Sequence, residues 1–165
     1  MANKQSFTPA EWSEILESTM LAGIAISAAD PSGLWGTLKE ALATRSALAS
    51  AKAVDSSELI KAVLVDLETS EGQSTVQEAM RKHVTGAKPT EIVHRSLESL
   101  RETSAILDEK APAEAAGFKI FLLGISQKVA EACSEGALLG FGGKKVSDAE
   151  KATLEDIAKS LGTFA

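Results

Sequence analysis

Apolar residues recur along this chain at helical intervals, i, i+3, i+4 and i+7, and no stretch alternates apolar and polar residues as a half-buried strand would. The most apolar stretch, Ala116 to Gly143, sets the frame. On a helical wheel Phe118, Phe121, Leu122, Ile125, Val129, Ala132 and Cys133 share one broad face. Ile120 and Leu123 fall on the opposite side, so the middle turns are apolar nearly all round, which predicts a helix from Pro112 to about Ser134 enclosed by its neighbours. Its longest unbroken apolar run is IFLLGI, and Lys119, Lys128 and Glu131 interrupt it. A membrane span needs about 20 apolar residues, so this is a core helix instead.

The remaining elements are marked by their caps. After a polar tail at residues 1–6, Thr8-Pro9-Ala10-Glu11 supplies an N-cap, a proline at the first helical position and a glutamate three residues after the cap. Phe7 and Trp12 are spaced for a hydrophobic staple. The first helix runs to about Ala29, with Trp12, Ile15, Leu16 and Thr19 inward and Glu11, Glu14 and Glu17 outward. Asp30-Pro31-Ser32-Gly33 breaks it. A second helix is expected over Ser32 to Val54, its inner stripe of Leu34, Leu38, Ala41, Leu42, Leu48 and Ala49 interrupted by a snorkelling Arg45. Asp55-Ser56-Ser57-Glu58 caps a short helix that Gly72 ends, and Ser74-Thr75-Val76-Gln77 caps another that Gly86 stops. A helix from Pro89 to about Leu107 carries Ile92, Val93, Leu97, Leu100 and Leu107 on one arc and Glu91, Arg95, Glu98, Arg101 and Glu102 on the other, with Glu91 and Arg95 spaced as an ion pair. Ser147-Asp148-Ala149-Glu150 caps the last helix, which Gly162 closes. The expectation is an all-α fold: residues 7–165 as a single-domain bundle of about seven helices around the central apolar helix at 112–134.

Both strongly apolar helices carry a mid-helix glycine followed by isoleucine, Gly23-Ile24 and Gly124-Ile125. Glycine inside a helix costs about 1 kcal/mol relative to alanine, so the pair predicts two helices crossing closely at these positions, where leucine would overpack.

Composition narrows the partners. With 23 acidic and 17 basic residues the formal net charge is −6, which offers no basic footprint for nucleic acid or an anionic membrane. The run Met20 to Ala29 is as apolar as a secretory signal core, but Glu11, Glu14 and Glu17 precede it where a signal needs basic residues. One cysteine permits no internal disulfide. A cytoplasmic setting is the expectation.

Candidate chemistry is sparse. Glu91 and His94 have the E-x-x-H spacing of di-iron bundles, yet those sites need the motif on two helices, and no glutamate lies three residues before the other histidine, His83. His83 extends the Val76, Ala79, Met80 stripe and reads as a core-edge residue; His94 falls on a polar arc. The stretch Gly136 to Lys145 imitates a phosphate loop but has Leu138 where the first glycine belongs and Lys145 where Ser or Thr belongs. No nucleophile elbow or positioned acid pair is present, so no catalytic residue, cofactor or metal is expected. The stretch most open to partners lies where the two apolar helices end. There Asp30, Trp35, Leu139, Phe141, Lys144 and Lys145 form the candidate interaction region, with Leu139 and Phe141 either tucked into the core or exposed as an apolar tip.

The segments FTPAEW, ADPSGLWGTLKEA and GFGGKKVSDAEKATLEDIAKSLG resemble an uncharacterised family of small all-helical bacterial proteins. More distantly, Ala28-Ala29-Asp30 and Ser147 to Glu150 with the following helix resemble the A-D-G and S-x-x-E elements of TerB-like domains, which are associated with tellurite and stress responses. In this chain Pro31 and Ser32 separate Asp30 from Gly33, and FGGKK lacks the acidic residue that family carries before its last helix. The TerB-like resemblance implies metal binding at Asp30 and Glu150, where the residues by themselves read as helix punctuation and a capping box. The functional expectation is a non-catalytic helical domain acting through protein contacts or self-association, its partner a second copy or another protein. The alternative is a module that binds an apolar small molecule or a metal ion between the glycine-bearing helices and the glycine-rich loop.

Overall fold

A computed structural model of the chain describes residues 2–29, 57–135 and 146–163. Those residues contain six α-helices and no strand: α1 (Pro9–Ala29), α2 (Glu58–Asp66), α3 (Ser70–Val84), α4 (Pro89–Lys110), α5 (Pro112–Glu135) and α6 (Asp148–Leu161), preceded by one 3-10 turn at Lys4–Ser6. The all-α class expected from the periodicity is the class of the fold. The helix expected over Ser32 to Val54 and the glycine-rich loop at 136–145 lie outside the described residues, as does the Cys133 side chain.

The caps explain why the helices start where they do. In α1 the Thr8 hydroxyl accepts the Glu11 N–H at 3.3 Å and the Glu11 carboxylate accepts the Thr8 N–H at 2.7 Å, while the Phe7 and Trp12 rings meet at 5.8 Å as the expected staple. In α6 Ser147 and Glu150 make the same reciprocal pair at 3.2 and 2.7 Å, and Gly162 closes the helix with φ +67°. At α4 the Glu91 carboxylate accepts the Lys88 N–H at 2.8 Å, so this glutamate, expected to pair with Arg95, serves the cap.

Two boundaries differ from expectation. The cap of α2 is Ser57, whose hydroxyl accepts the Ile60 N–H at 3.3 Å. Gly72, expected to end a helix, lies in the first turn of α3: α2 stops at Asp66, and Thr69 caps the next helix by accepting the Gly72 N–H at 3.0 Å. Ser74 and Thr75, read as a cap, sit further along α3 and donate back to the carbonyls of Ser70 and Glu71. Both stretches offer cap hydroxyls, and packing chooses the earlier one. The first turn of α3 crosses the end of α2 so closely that a Cβ at position 72 would overlap the Asp66 carbonyl oxygen.

Residues 2–6, expected as a polar tail, are docked. The Glu114 carboxylate of α5 accepts the N–H of Ala2 at 2.6 Å and of Leu59 at 3.1 Å, tying the N-terminal segment and the first turn of α2 to the start of α5.

α1 packs on α3, α4, α5 and α6, most extensively on α4, and α5 packs on α1, α2, α4 and α6. Phe118, Leu122, Ile125 and Val129 of α5 join Ile15, Leu16 and Ile26 of α1, Leu59 and Val63 of α2, and Ile157 and Leu161 of α6 in one core. The expected partnership of the two apolar helices therefore exists, although Gly124 is not where they meet. A Cβ built at Gly124 finds nothing within 4 Å. Helices α1 and α5 touch instead at Ala22 and Ser126, where the buried Ser126 hydroxyl donates to the Ala22 carbonyl at 2.9 Å.

Buried hydroxyls recur in the core. Thr103 donates to the Glu14 carbonyl and Ser104 to the Leu161 carbonyl, whereas Ser96 Oγ is the one buried side-chain polar atom among the described residues without a partner. Stranding a hydroxyl costs about 1–3 kcal/mol, and serine is also the poorer helix former. Ser96→Ala is therefore expected to raise stability by about 1 kcal/mol, or roughly 2–4 °C in Tm at this chain length. A fall in the thermal midpoint would show that the hydroxyl does have a partner.

Candidate interaction surface

Asp30, Trp35, Leu139, Phe141, Lys144 and Lys145, the residues singled out from sequence, all lie outside the described residues. The feature the described fold does present is the outer face of α5. Its inner arc, centred on Phe118, Leu122, Ile125 and Val129, is buried. About 180° away on the helix lie Ala113, Ala116, Gly117, Ile120, Gly124 and Gln127, all exposed except the half-buried Gly124. Ile120 is 64% exposed, and a Cβ added at Gly117 or Gly124 would meet nothing within 4 Å. The enclosure predicted for this helix is thus incomplete among the described residues, which leave the arc around Ile120 exposed.

This face carries no charge over four turns. The other described helices carry charged residues outward, with Glu58 and Lys61 on α2, Glu78 and Arg81 on α3, Arg95 and Glu98 on α4, and Glu155 and Asp156 on α6, although Val65 of α2 is exposed as well. On α1, Glu14 and Glu17 are half-buried, near Glu102 of α4 and near Lys82 and His83 of α3, and burial raises the pKa of both. At one edge of the α5 face the buried Lys119 reaches out to Asp108 of α4, its Nζ 2.6 and 2.7 Å from the two carboxylate oxygens. Of the three charges that interrupt the apolar helix, this one is therefore neutralised from the side.

A second feature lies at the other end of the chain. Asp66, the last residue of α2, accepts the Trp12 indole N–H at 2.6 Å and the Lys4 ammonium at 3.0 Å. Burial is the largest influence on this carboxyl and would raise its pKa. The Trp12 hydrogen bond and the Lys4 contact together outweigh it and hold the group below its ordinary value. Beside this node Trp12, Ala62 and Val65 line an open groove of about 350 Å³ with Asn3, Lys4 and Gln5, and Val65 is 63% exposed on it.

The histidines sit as the sequence suggests. His83 is half-buried with Nδ1 2.9 Å from the Ala79 carbonyl, and the exposed His94 lies 3.4 Å from Glu98. No group of three or more His, Cys, Asp or Glu with metal-holding geometry occurs among the described residues. Glu150, on which the TerB-like resemblance would place a ligand, is 3% exposed and holds the Ser147 N–H. Nor is any described helix long and apolar enough to cross a membrane.

The pattern places both Ile120 and Leu123 opposite the core arc and reads both as enclosed, whereas in the fold Ile120 is exposed and Leu123 is half-buried against the core. Only the positions of the other helices decide which is covered. Compared with family models, curated proteins and solved structures, the chain has no significant match.

Proposed function

We propose that this chain is a non-catalytic helical domain that acts through protein contacts, and that the outer face of α5 is its contact surface. The observation that carries this reading is the uncharged, four-turn face centred on Ile120, a large apolar side chain left 64% exposed. Fully burying a side chain of this kind is worth about 1.5–3 kcal/mol, a gain the isolated fold leaves largely unrealised at Ile120. A contiguous apolar patch of this sort is characteristic of interaction sites. The placement of the acidic groups is in keeping with it, since Glu11, Glu91, Glu114 and Glu150 all spend their carboxylates on backbone N–H groups that hold the architecture. The acidic charge and the single cysteine support a cytoplasmic setting for this role.

A photo-crosslinking residue placed at Ile120 in growing cells, with a matched control at the exposed Arg101 of α4, tests the proposal. The expected result is a discrete adduct from position 120 and none from position 101. Equal labelling from both positions would remove the α5 face as the contact surface. Ile120→Lys is expected to leave the thermal midpoint within about 0.5 kcal/mol equivalent of wild type, because the side chain is 64% exposed.

The groove beside Trp12 and Val65 favours a second reading, binding of an apolar small molecule, at a place other than the one expected between the glycine-bearing helices. Saturable quenching of tryptophan fluorescence by a hydrophobic dye, abolished in Val65→Lys, is the result that reading requires.

A further inference from the structure

We infer that the partner of the α5 face is a second copy of this chain, bound antiparallel so that Ile120 of each copy sits over Gly124 of the other. The inference rests on the protein-contact reading and names the partner it needs.

Three observations lead to it. The first is charge. Each copy carries −6, and the other described helices present charged side chains outward, so pairing two copies through those helices takes charged groups out of water. The outer face of α5 is the place among the described residues where two copies can approach without doing so, from Ala113 to Gln127. The second is shape. That single face holds both a knob, the exposed Ile120, and a gap, the open Gly124 one helical turn further on. A two-fold interface must be self-complementary, each residue meeting on the partner the position that its own symmetry mate meets. Turning one α5 about an axis level with residue 122 brings 120 over 124 and 117 over 127, which seats both isoleucines in both gaps at once. The third is direction. Opposed helices align their macrodipoles favourably, and the missing Cβ atoms at Gly117 and Gly124 let the axes approach to the near end of the usual separation of about 8–10 Å.

The size of the face sets the strength. From Ala113 to Gln127 α5 is about 21 Å long, and one helix strip of that length covers well under the roughly 800 Å² per partner of a standard interface. The dimer is accordingly weak, with dissociation in the micromolar to millimolar range.

Sedimentation equilibrium of the full chain over a wide concentration range tests this. The expected result is a monomer–dimer equilibrium that Gly124→Lys weakens at least tenfold while the circular-dichroism melt does not fall. In a Cys133→Ser background, a mixture of Ile120→Cys and Gly124→Cys chains is expected to form the mixed disulfide faster than either chain crosslinks with itself. A monomer at every concentration, association unaltered by Gly124→Lys, or preferential self-crosslinking of each variant would overturn the inference. A monomer whose position-120 crosslinker still captures one discrete protein would end the second-copy inference and leave the protein-contact reading standing. An Ile120→Cys thiol unreactive toward a soluble reagent in the monomer would mean that the chain covers its own face, and both would fall.

Discussion

Gly72→Ala is expected to lower the melting temperature sharply, and Gly124→Ala to raise it. The first effect follows from what a Cβ at position 72 meets: the Asp66 carbonyl oxygen, in outright overlap, and the Leu67 amide nitrogen at 3.2 Å. Both are backbone atoms at the end of α2, so no side-chain rotation relieves the clash, and α3 must separate from α2 or its first turn must unwind. Overpacking of this kind costs about 3 kcal/mol. At Gly124 the space is open, and alanine gains about 0.5–1 kcal/mol of helix propensity with no steric penalty. In a chain of this length the two changes correspond to a fall of roughly 6–12 °C and a rise of about 1–4 °C. A circular-dichroism melt of each variant decides the matter. Similar midpoints for the two would show that the first turn of α3 does not press on the end of α2.

Asp66→Ala is expected to cost about 2–3 kcal/mol, most of it through Trp12. The Trp12 side chain is buried, the residue being 3% exposed, and its indole N–H points at the Asp66 carboxylate 2.6 Å away, so removing the acceptor strands a part-buried donor. Lys4 contributes less. Its side chain is half-exposed, and ion pairs of that kind are worth well under about 1 kcal/mol, so Lys4→Ala should be nearly silent. The contrast between these two variants separates the indole bond from the ion pair.

The same node makes a pH prediction. Asp66 ends α2, where the helix dipole disfavours a negative charge, yet its folded pKa lies below the ordinary 3.8. A depressed carboxyl contributes stability that is fully present above its unfolded pKa and is lost as pH falls through the folded value. The gap in stability between wild type and Asp66→Asn should therefore be constant from pH 7 down to about 5, shrink below about pH 4, and vanish in stronger acid. A gap that widened on acidification would mean that Asp66 is protonated in the fold.

Much of the architecture is written locally. Thr8, Pro9 and Glu11 start α1 wherever the rest of the chain lies, because each satisfies an amide within the same turn, or in the proline's case lacks one. The same holds for Ser147, Glu150 and Gly162 around α6, and for the core arc of α5, whose 3.6-residue period needs no neighbour to define it. What failed from sequence failed where two local solutions compete. Thr69 and Ser74 could each cap a helix, and the choice fell to Gly72, the residue that lets α3 pass over the end of α2. Residues 2–6 look like a tail because nothing near them in sequence holds them, while Glu114 and Asp66 do so from far along the chain.

The two apolar helices mark the boundary most clearly. From the sequence alone it follows that α1 and α5 are helices, that they belong to the core, and that the chain is all-α, since periodicity and capping act within a few residues. Which pair of small residues brings them together, Ala22 with Ser126, and which side of α5 stays open around Ile120 and Gly124, were settled by tertiary packing. A helix that is apolar on every side states its need for neighbours without stating how many it has, because the hydrophobic effect rewards buried area and carries no direction.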